Sequence, residues 1–271
     1  MKNKKQLSIE EILQLETPYF ELQAWWGATK HMGGTKATKE LIELCHIDKN
    51  KYILDVGCGV GATSCYIAKK YDCKIVGIDI NERMIDRANE RAEREKLKNK
   101  VEFRIADVQN IPFEDNIFDI VIGESVLTFI GDKQKAIKEC VRVVKKGGYI
   151  GFNEETLIKT PPTKEVIEYL SYAYDVKVEI LTSNEWKKLF ENAGLKEIII
   201  KEYKFGAGLS DYMDGIKLIG LKYAPKMFYR FLSAYIKSSA FRKYVKEKFI
   251  NYPKELFDYV GYGLYVGRKI D

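Results

Sequence analysis

The chain has 271 residues, of which 46% are hydrophobic and 31% are charged, and it carries a formal net charge of +6. This composition is typical of a soluble globular protein, and the length suits one α/β domain with an added cap. No apolar run approaches the roughly 18 residues of a membrane span. Five scattered cysteines and two histidines form no Cys-x-x-Cys pair. We therefore expect no disulfide framework and no metal site, and the cysteines favour a reducing cytoplasm.

The N-terminal residues 1–37 are predicted to form a helical lid. Residues 1–11 are charged and hold no apolar stretch, so we expect no secretory signal and a cytoplasmic location. Ser8 and Glu11 have the spacing of a capping box, which predicts a first helix. An aromatic segment follows, and the pair Gly33-Gly34 opens the next helix. The aromatic residues serve either to pack the lid or to contact a ligand, and the sequence leaves both readings open.

Strands and helices alternate in residues 38–155. Strands are predicted at 53–56, 74–80, 101–105, 116–123 and 149–153, and helices between them at 62–70, 82–95 and 133–144. Strand–helix alternation at this interval implies parallel strands with right-handed crossovers, which predicts a doubly wound α/β sheet.

The pattern changes in the remaining residues, 156–271. Helices are predicted at 164–172 and 184–192, the second with Thr182 and Glu185 in capping-box spacing. Residues 195–205 and 263–268 are predicted as strands. Between them, residues 206–260 are predicted as a helical cap insertion that interrupts a hairpin.

The stretch from Ile53 to Gly61, Ile-Leu-Asp-Val-Gly-Cys-Gly-Val-Gly, joins the first core strand to the first core helix. Glycines let the backbone approach a ligand closely, and the free N–H groups of the following helix face the same ligand. A dinucleotide fingerprint reads Gly-x-Gly-x-x-Gly and receives a pyrophosphate. Here Asp55 precedes the glycines, and its carboxylate repels a pyrophosphate but attracts an ammonium group. The motif thus favours an adenosyl amino acid over a dinucleotide.

Acidic residues fall at the ends of three successive predicted strands, at Asp55, Asp79 and Asp107. The carboxyl ends of parallel strands meet at one edge of a sheet, where ligands bind. Asp79 is placed to accept hydrogen bonds from two ribose hydroxyls, and Asp107 from an exocyclic amine such as that of adenine. A turn or cap role explains one such residue more easily than three.

Five motifs occur in order: Leu-Asp-Val-Gly-Cys-Gly-Val-Gly, Gly-Ile-Asp-Ile, Ala-Asp-Val, Phe-Asp-Ile-Val and Val-Lys-Lys-Gly-Gly-Tyr. Over residues 38–155 this series resembles the class I S-adenosylmethionine-dependent methyltransferases. The resemblance implies a seven-stranded, doubly wound Rossmann-like sheet with an antiparallel last strand. It also implies S-adenosylmethionine as cofactor and S-adenosylhomocysteine as its product.

The resemblance assigns cofactor roles to residues at the strand ends. Those that would cradle the methionine part are Asp55, Gly57, Gly59 and Gly61. Those that would contact the ribose and adenine are Asp79, Ile80, Asp107 and Val108. Glu124, at the end of the fourth strand, would lie beside the sulfonium.

The acceptor of the methyl group is less defined by the sequence. Methyl transfer is an in-line displacement, so positioning and the exclusion of water carry much of the catalysis, and a base is needed only for a protonated nucleophile. Glu154 is the first candidate for a carboxylate that orients the acceptor, and His31 is a second catalytic candidate. Tyr19, Trp26 and Phe129 are candidate acceptor-binding residues. For Glu154 a cap on the next turn, and for His31 packing in the lid, are the alternatives.

The segment Met-Gly-Gly-Thr-Lys-Ala-Thr, residues 32–38, resembles the small-molecule branch of these enzymes, of the methyltransferase type 11 kind, which includes phosphoethanolamine, sterol and quinone-type enzymes. Phosphoethanolamine enzymes are expected to have Arg-Asp after the fourth strand. This chain has Glu124-Ser125 there, which argues against phosphoethanolamine while leaving the wider branch in place.

Residues 216–250 are basic and amphipathic. The basic side chains in this stretch are Lys217, Lys222, Lys226, Arg230, Lys237, Arg242, Lys243, Lys246 and Lys248. The stretch forms either a cap whose lysine-rich face meets water or a surface for an anionic or membrane-borne, lipid-like acceptor. An S-adenosylmethionine-binding protein that docks on RNA or an anionic membrane is the competing hypothesis, although no RNA-binding module is evident. The sequence implies no stable protein partner.

Overall fold

A single mixed sheet forms the centre of the protein. The computed structural model describes residues 7–27, 31–205 and 224–270. The strands in these ranges are β1 (Tyr52–Val56), β2 (Lys74–Asp79), β3 (Val101–Ile105), β4 (Phe118–Glu124), β5 (Val144–Leu157), β6 (Leu181–Thr182), β7 (Lys196–Lys204) and β8 (Val260–Arg268). Their spatial order is β3-β2-β1-β4-β5-β8-β7, and the short β6 pairs with β5.

Helices surround the sheet and continue into both ends of the chain. Those described are α1 (Ile9–Leu13), α2 (Pro18–Trp26), α3 (Gly34–Leu44), α4 (Ala62–Tyr71), α5 (Glu82–Arg94), α6 (Lys133–Val143), α7 (Lys164–Tyr174), α8 (Ser183–Asn192), α9 (Ala224–Lys237), α10 (Ser239–Val245) and α11 (Leu256–Tyr259). The predicted capping boxes at Ser8–Glu11 and Thr182–Glu185 are both present. None of these helices combines the length and apolar character needed to cross a membrane.

Strands β1 to β5 are parallel, whereas β8 runs antiparallel to both β5 and β7. Alternate residues of each buried strand enter two different apolar layers because successive side chains point to opposite faces. Ile53 packs with the layer under α3, α4 and α5, and Leu54 packs with the layer under α6 and α8. The predicted seven-stranded Rossmann-like fold with an antiparallel last strand is confirmed, with β6 as a two-residue addition.

Two strands are longer than the sequence predicts. Strand β5 extends to Leu157 instead of ending at Asn153, and β8 begins at Val260 instead of at residue 263. The two strands pair from Tyr149 opposite Arg268 to Leu157 opposite Val260, and this pairing lengthens both. Glu154 and Glu155 therefore lie inside a strand and not in the loop after it. This difference changes the assignment of both carboxylates, as described below.

The predicted cap insertion is helical where the structure describes it. Helices α9 and α10 pack on α1 and α2 through a shared apolar cluster that includes Ile12, Leu22 and Phe241. Lys217 and Lys222, two of the predicted basic residues, lie outside the described residues. The division into lid (1–37), cofactor core (38–155) and remainder with cap (156–271) stays a prediction.

Candidate active site

A cavity of about 540 Å³ lies at the carboxyl edge of the parallel strands. The loops after β1, β2, β3 and β4 form its floor, and helix α2 forms part of its wall. The sheet order places these four loops side by side, in the position where open α/β sheets bind ligands. The volume is within the usual range for a site that holds a small organic ligand.

The glycine turn after β1 brings backbone to the cavity. Gly57 has φ of 68° and Gly59 has φ of 51°, and both line the cavity. A side chain at position 57 would overlap Val126, so the turn and the loop after β4 can approach this closely only without a Cβ atom.

The third glycine of the motif lies behind the turn and does not line the cavity. Gly61 caps α4 with φ of 71°, and a Cβ atom there would lie 2.6 Å from Cζ of Phe103. Gly61 therefore allows helix α4 to pack closely on β3, and the expected contact of Gly61 with the methionine part has no support from its position.

Asp79 lies at the end of β2 and joins two loops that line the cavity. Its Oδ2 accepts a hydrogen bond from the Gly59 amide at 2.9 Å, and its Oδ1 accepts one from the Asn81 amide, also at 2.9 Å. Burial raises the pKa of the Asp79 carboxyl, and these two amides oppose the rise. Ile80 follows with its side chain 72% exposed, and it also lines the cavity.

Asp107 and Val108 line the cavity after β3, next to the β2 loop. The Asp107 Oδ1 atom accepts a hydrogen bond from the Gln109 amide at 2.8 Å. Val108 is buried and offers an apolar contact beside that carboxylate. The pair thus combines an acceptor for an amine with an apolar surface for a flat ring.

Asp55 is the most deeply buried of the three aspartates, with 3% of its surface exposed. The Ser64 hydroxyl donates a hydrogen bond to its Oδ2 atom. Burial raises the pKa of Asp55 to about 7; the Ser64 hydroxyl opposes this rise, and the charges of Glu124 and Asp79 add to it. A cationic ligand group placed beside Asp55 would favour its ionised form.

Glu124, at the end of β4, is held by α3 and by α4. Thr38 donates a hydrogen bond to its Oε1 at 3.0 Å, and Thr63 donates one to its Oε2 at 2.8 Å. The His31 Nδ1 atom lies 3.4 Å from Oε1, and both His31 and Glu124 line the cavity. The sequence predicted these two residues separately, and the structure brings them together.

The lid is fixed beside His31 by a hydrogen bond to the sheet. The Asn153 Nδ2 atom donates to the backbone oxygen of Met32 at 2.7 Å. This contact holds the segment before α3 over the middle of β5.

Four aromatic rings line the cavity on the side of the lid: Tyr19, Phe20, Phe129 and Tyr174. They meet mainly edge to face, with centroid separations of 5.0 Å for Phe20–Phe129, 5.1 Å for Tyr19–Tyr174 and 5.2 Å for Phe129–Tyr174. Such T-shaped contacts are the favoured geometry for aromatic pairs. The sequence predicted Tyr19 and Phe129 but did not indicate Phe20 or Tyr174.

Trp26, a predicted acceptor-binding residue, does not line the cavity. Its ring stacks on Phe231 with centroids 5.2 Å apart, and its Nε1 donates a hydrogen bond to the Met227 backbone oxygen at 3.2 Å. Trp26 instead joins the lid to the C-terminal helices, because helix α2 turns this side chain away from the residues that line the site.

Glu154 does not line the cavity either, although the sequence ranked it first as the carboxylate orienting the acceptor. It is fully buried, and its carboxylate accepts hydrogen bonds from the amides of Val126, Leu127 and Thr128 and from the Thr128 hydroxyl. Burial raises its pKa to about 6 against the effect of these four donors. Through these hydrogen bonds Glu154 holds the loop after β4 in place.

Glu155 lines the cavity in its place. Neighbouring residues of a strand point to opposite faces, so a carboxylate one position along β5 faces the ligand side. The Tyr174 hydroxyl donates a hydrogen bond to the Glu155 Oε1 atom. Burial raises the pKa of Tyr174 well above its usual range, with the Glu155 charge adding to the effect, so Tyr174 remains the proton donor.

The donor set fits S-adenosylmethionine. One cavity offers contacts for an ammonium, a ribose and an adenine. The contacts come from the backbone at Gly57 and Gly59, from the carboxylates of Asp55, Asp79 and Asp107, and from Val108. Among the described residues, its lining includes no lysine or arginine. A pyrophosphate-bearing dinucleotide would lack a counter-charge here.

Comparison with known proteins gives the same assignment. A family model described as "Methyltransferase domain" matches residues 47–194. An uncharacterized protein of Haemophilus influenzae is 33% identical over 168 residues, 61% of this chain and 66% of that protein. Phosphoethanolamine N-methyltransferase 1 of Arabidopsis thaliana is 30% identical over 171 residues, 63% of this chain and 34% of that enzyme. The chain thus matches less than two thirds of the length of either relative.

A solved structure shares the fold. Phosphoethanolamine N-methyltransferase 2 of Haemonchus contortus, in complex with phosphomonomethylethanolamine and S-adenosylhomocysteine, aligns with a TM-score of 0.72 at 18% identity, covering 98% of this chain and 61% of that chain. The sheet order and the acidic strand ends define the class I S-adenosylmethionine-dependent methyltransferases. The chain belongs to the methyltransferase domain family.

Proposed function

We propose that this protein transfers a methyl group from S-adenosylmethionine to the amine nitrogen of a small acceptor that carries no phosphate. The observation that carries this proposal is the composition of the cavity wall. Beyond the strand-end aspartates it includes four aromatic rings and the carboxylates of Glu124 and Glu155, and its described residues include no basic side chain other than His31.

The cofactor roles proposed here follow the position of each residue along the sheet edge. Asp79 and Ile80 bind the ribose, Asp107 and Val108 bind the adenine, and Gly57 and Gly59 admit the methionine part. Asp55 and Glu124 supply negative charge for its ammonium and sulfonium groups, since both carboxylates are buried at the cavity. Opposite charges at such buried positions interact more strongly than at the surface.

An amine suits the remaining part of the wall. Aromatic faces and a carboxylate attract a cationic group, and a phosphate would meet repulsion without a lysine or arginine to neutralise it. The volume of about 540 Å³ has to hold both cofactor and acceptor, which supports a small acceptor over a lipid-like one.

The reaction needs the acceptor nitrogen in its neutral form. S-adenosylmethionine supplies a methyl group bonded to a sulfonium, so attack by the nitrogen lone pair breaks the carbon–sulfur bond and leaves S-adenosylhomocysteine. Glu155 orients the nitrogen, and the proton of an ammonium acceptor passes to Glu155 or to His31, whose Nδ1 atom lies 3.4 Å from Oε1 of Glu124. The aromatic wall excludes water, and most of the rate enhancement comes from this positioning.

An acceptor panel tests the proposal. We expect S-adenosylhomocysteine to form faster with a phosphate-free secondary amine bearing an apolar group than with phosphoethanolamine or a phenol. Glu155→Gln keeps the shape of the side chain and is expected to lower kcat/KM for the amine at least about tenfold, because a charged hydrogen bond is lost. Product formation is measured by mass spectrometry, and Glu114→Gln, at an exposed loop position, is the matched control.

Two failures can be told apart. If calorimetry detects no binding of S-adenosylmethionine or S-adenosylhomocysteine, the methyltransferase proposal itself is wrong. If the cofactor binds and phosphoethanolamine or the phenol reacts faster than every amine, only the acceptor class is wrong.

The pH dependence of cofactor binding reports on Asp55. Its pKa is about 7 in the free protein, and a neighbouring ammonium lowers it, so binding releases a proton. Affinity for S-adenosylmethionine is therefore expected to rise about tenfold between about pH 6 and about pH 8. Calorimetry in two buffers of different ionisation enthalpy measures the released proton. 5′-Methylthioadenosine, which lacks the ammonium, should show little of this dependence; an equal dependence for both ligands would refute the Asp55 assignment.

A further inference from the structure

Helix α9 has an apolar face that no described part of the chain covers. Phe228 is 63% exposed, Tyr229 69%, Leu232 41% and Ile236 66%. Their spacings of three, four and seven residues place them on one side of the helix. Single exposed apolar residues are ordinary on protein surfaces, whereas four large ones on one helix face form a patch.

A neighbouring face of the same helix is anchored to the protein. Ala234 is buried, and Phe231 and Tyr235 pack beside it against Phe241 and Val245 of helix α10. Arg230 adds a hydrogen bond to the Trp25 backbone oxygen at 3.1 Å. The exposed patch therefore belongs to a helix with a defined inner face, and it points outward as part of the fold.

Basic side chains accompany this patch. Lys226 and Lys237 are exposed near the two ends of α9, and Lys243 and Lys246 are exposed in the helical turns that follow. Between residues 224 and 250 the sequence has a single acidic residue, Glu247. A helix with an apolar face and an exposed lysine near each end is complementary to a lipid surface, which has an apolar interior beneath anionic headgroups.

We propose that this face of α9 docks the protein on the surface of an anionic lipid bilayer. Phe228, Leu232 and Ile236 enter the boundary between headgroups and acyl chains, and the lysines contact lipid phosphates. Nucleic acid fits less well, because it offers no apolar phase for Leu232 and Ile236. A second copy of the chain would bring the same lysines together and add repulsion. The proposal goes beyond the methyl-transfer function and does not depend on it.

Co-sedimentation of the full chain with vesicles tests the docking. Vesicles of phosphatidylcholine with about 30% phosphatidylserine are compared with pure phosphatidylcholine at low and high salt. Leu232→Ser with Ile236→Ser is expected to weaken binding to anionic vesicles at least about tenfold, since each apolar side chain contributes to insertion. Lys226→Glu with Lys237→Glu is expected to weaken it by a similar factor at low salt.

Matched controls lie at other sites of the surface. Ile270→Ser removes an exposed apolar side chain beyond the end of β8, and Lys69→Glu changes an exposed lysine of α4. Both are expected to bind vesicles like the wild type, and thermal unfolding shows that each variant is folded.

Each contrary result overturns the proposal. The first is that the same fraction of protein sediments with and without vesicles. The second is that the α9 variants bind vesicles as tightly as the wild type, and the third is that the protein binds RNA more tightly than anionic vesicles. A concentration-dependent dimer that the Leu232→Ser, Ile236→Ser variant abolishes would assign the patch to a second copy instead.

Discussion

Glu154→Gln is expected to lower the free energy of unfolding by about 2–4 kcal/mol. The wild-type carboxylate accepts from three consecutive amides, at 3.0 Å from Val126, 2.8 Å from Leu127 and 3.1 Å from Thr128. A glutamine has one acceptor oxygen, so its NH₂ group must face one of the donor sets. The variant thereby loses charged hydrogen bonds and leaves buried donors without an acceptor.

Urea unfolding of the wild type and the variant measures the difference. Glu114→Gln, which makes the same chemical change at an exposed loop position, should leave the midpoint nearly unchanged. A structural role also predicts that folded Glu154→Gln retains some turnover, with KM affected through the loop that carries Phe129. Complete loss of kcat in a variant of wild-type stability would return Glu154 to a direct role in catalysis.

Asp79→Asn is expected to weaken the binding of S-adenosylmethionine by about 1–3 kcal/mol, roughly 5–150-fold. A carboxylate can accept from both ribose hydroxyls while keeping its bonds to the Gly59 and Asn81 amides. An amide group in the same place loses the charge and replaces one acceptor by a donor. Isothermal calorimetry measures the affinity, and Asp86→Asn on the exposed side of α5 is the matched control.

A thermodynamic cycle separates the ribose contact from a general disturbance of the loop. Removing the 2′-hydroxyl from S-adenosylhomocysteine should weaken binding to the wild type and cost little further in Asp79→Asn. If the two losses simply add, Asp79 does not contact the ribose, and its effect comes from the turn that it holds.

The meeting of the three strand-end aspartates at one cavity could be predicted because it follows from local rules. Their contacts with the cofactor stay predictions. Asp55, Asp79 and Asp107 each end a parallel strand, and the sheet brings such ends to one edge. Strand pairing does not need to be known residue by residue for this inference. Spacing alone does not separate a glycine that admits a ligand from one that admits a neighbouring ring, as Gly61 does for Phe103.

The acceptor side could not be predicted to the same degree because it depends on distant contacts. Glu155 lines the cavity and Glu154 does not, because β5 continues through both residues in its pairing with β8, more than 100 residues along the chain. Trp26 points away from the cavity to meet Met227 and Phe231. Tyr174 reaches the wall from the end of α7, and its sequence neighbours carry no sign of a ligand site.

Helix α2 contacts both the cavity and helix α9. Tyr19 and Phe20 at its start line the cavity, whereas Trp25 and Trp26 at its end are bonded to α9. Helix α2 has nine residues. A movement of its end beside α9 would therefore also move Tyr19 and Phe20 in the cavity wall. If lipid binding displaces α9, it also changes the affinity of the protein for the acceptor. Thermodynamic linkage then requires that acceptor binding changes the affinity for lipid by the same factor. Measuring either equilibrium with the other ligand present would give the size of this reciprocal coupling.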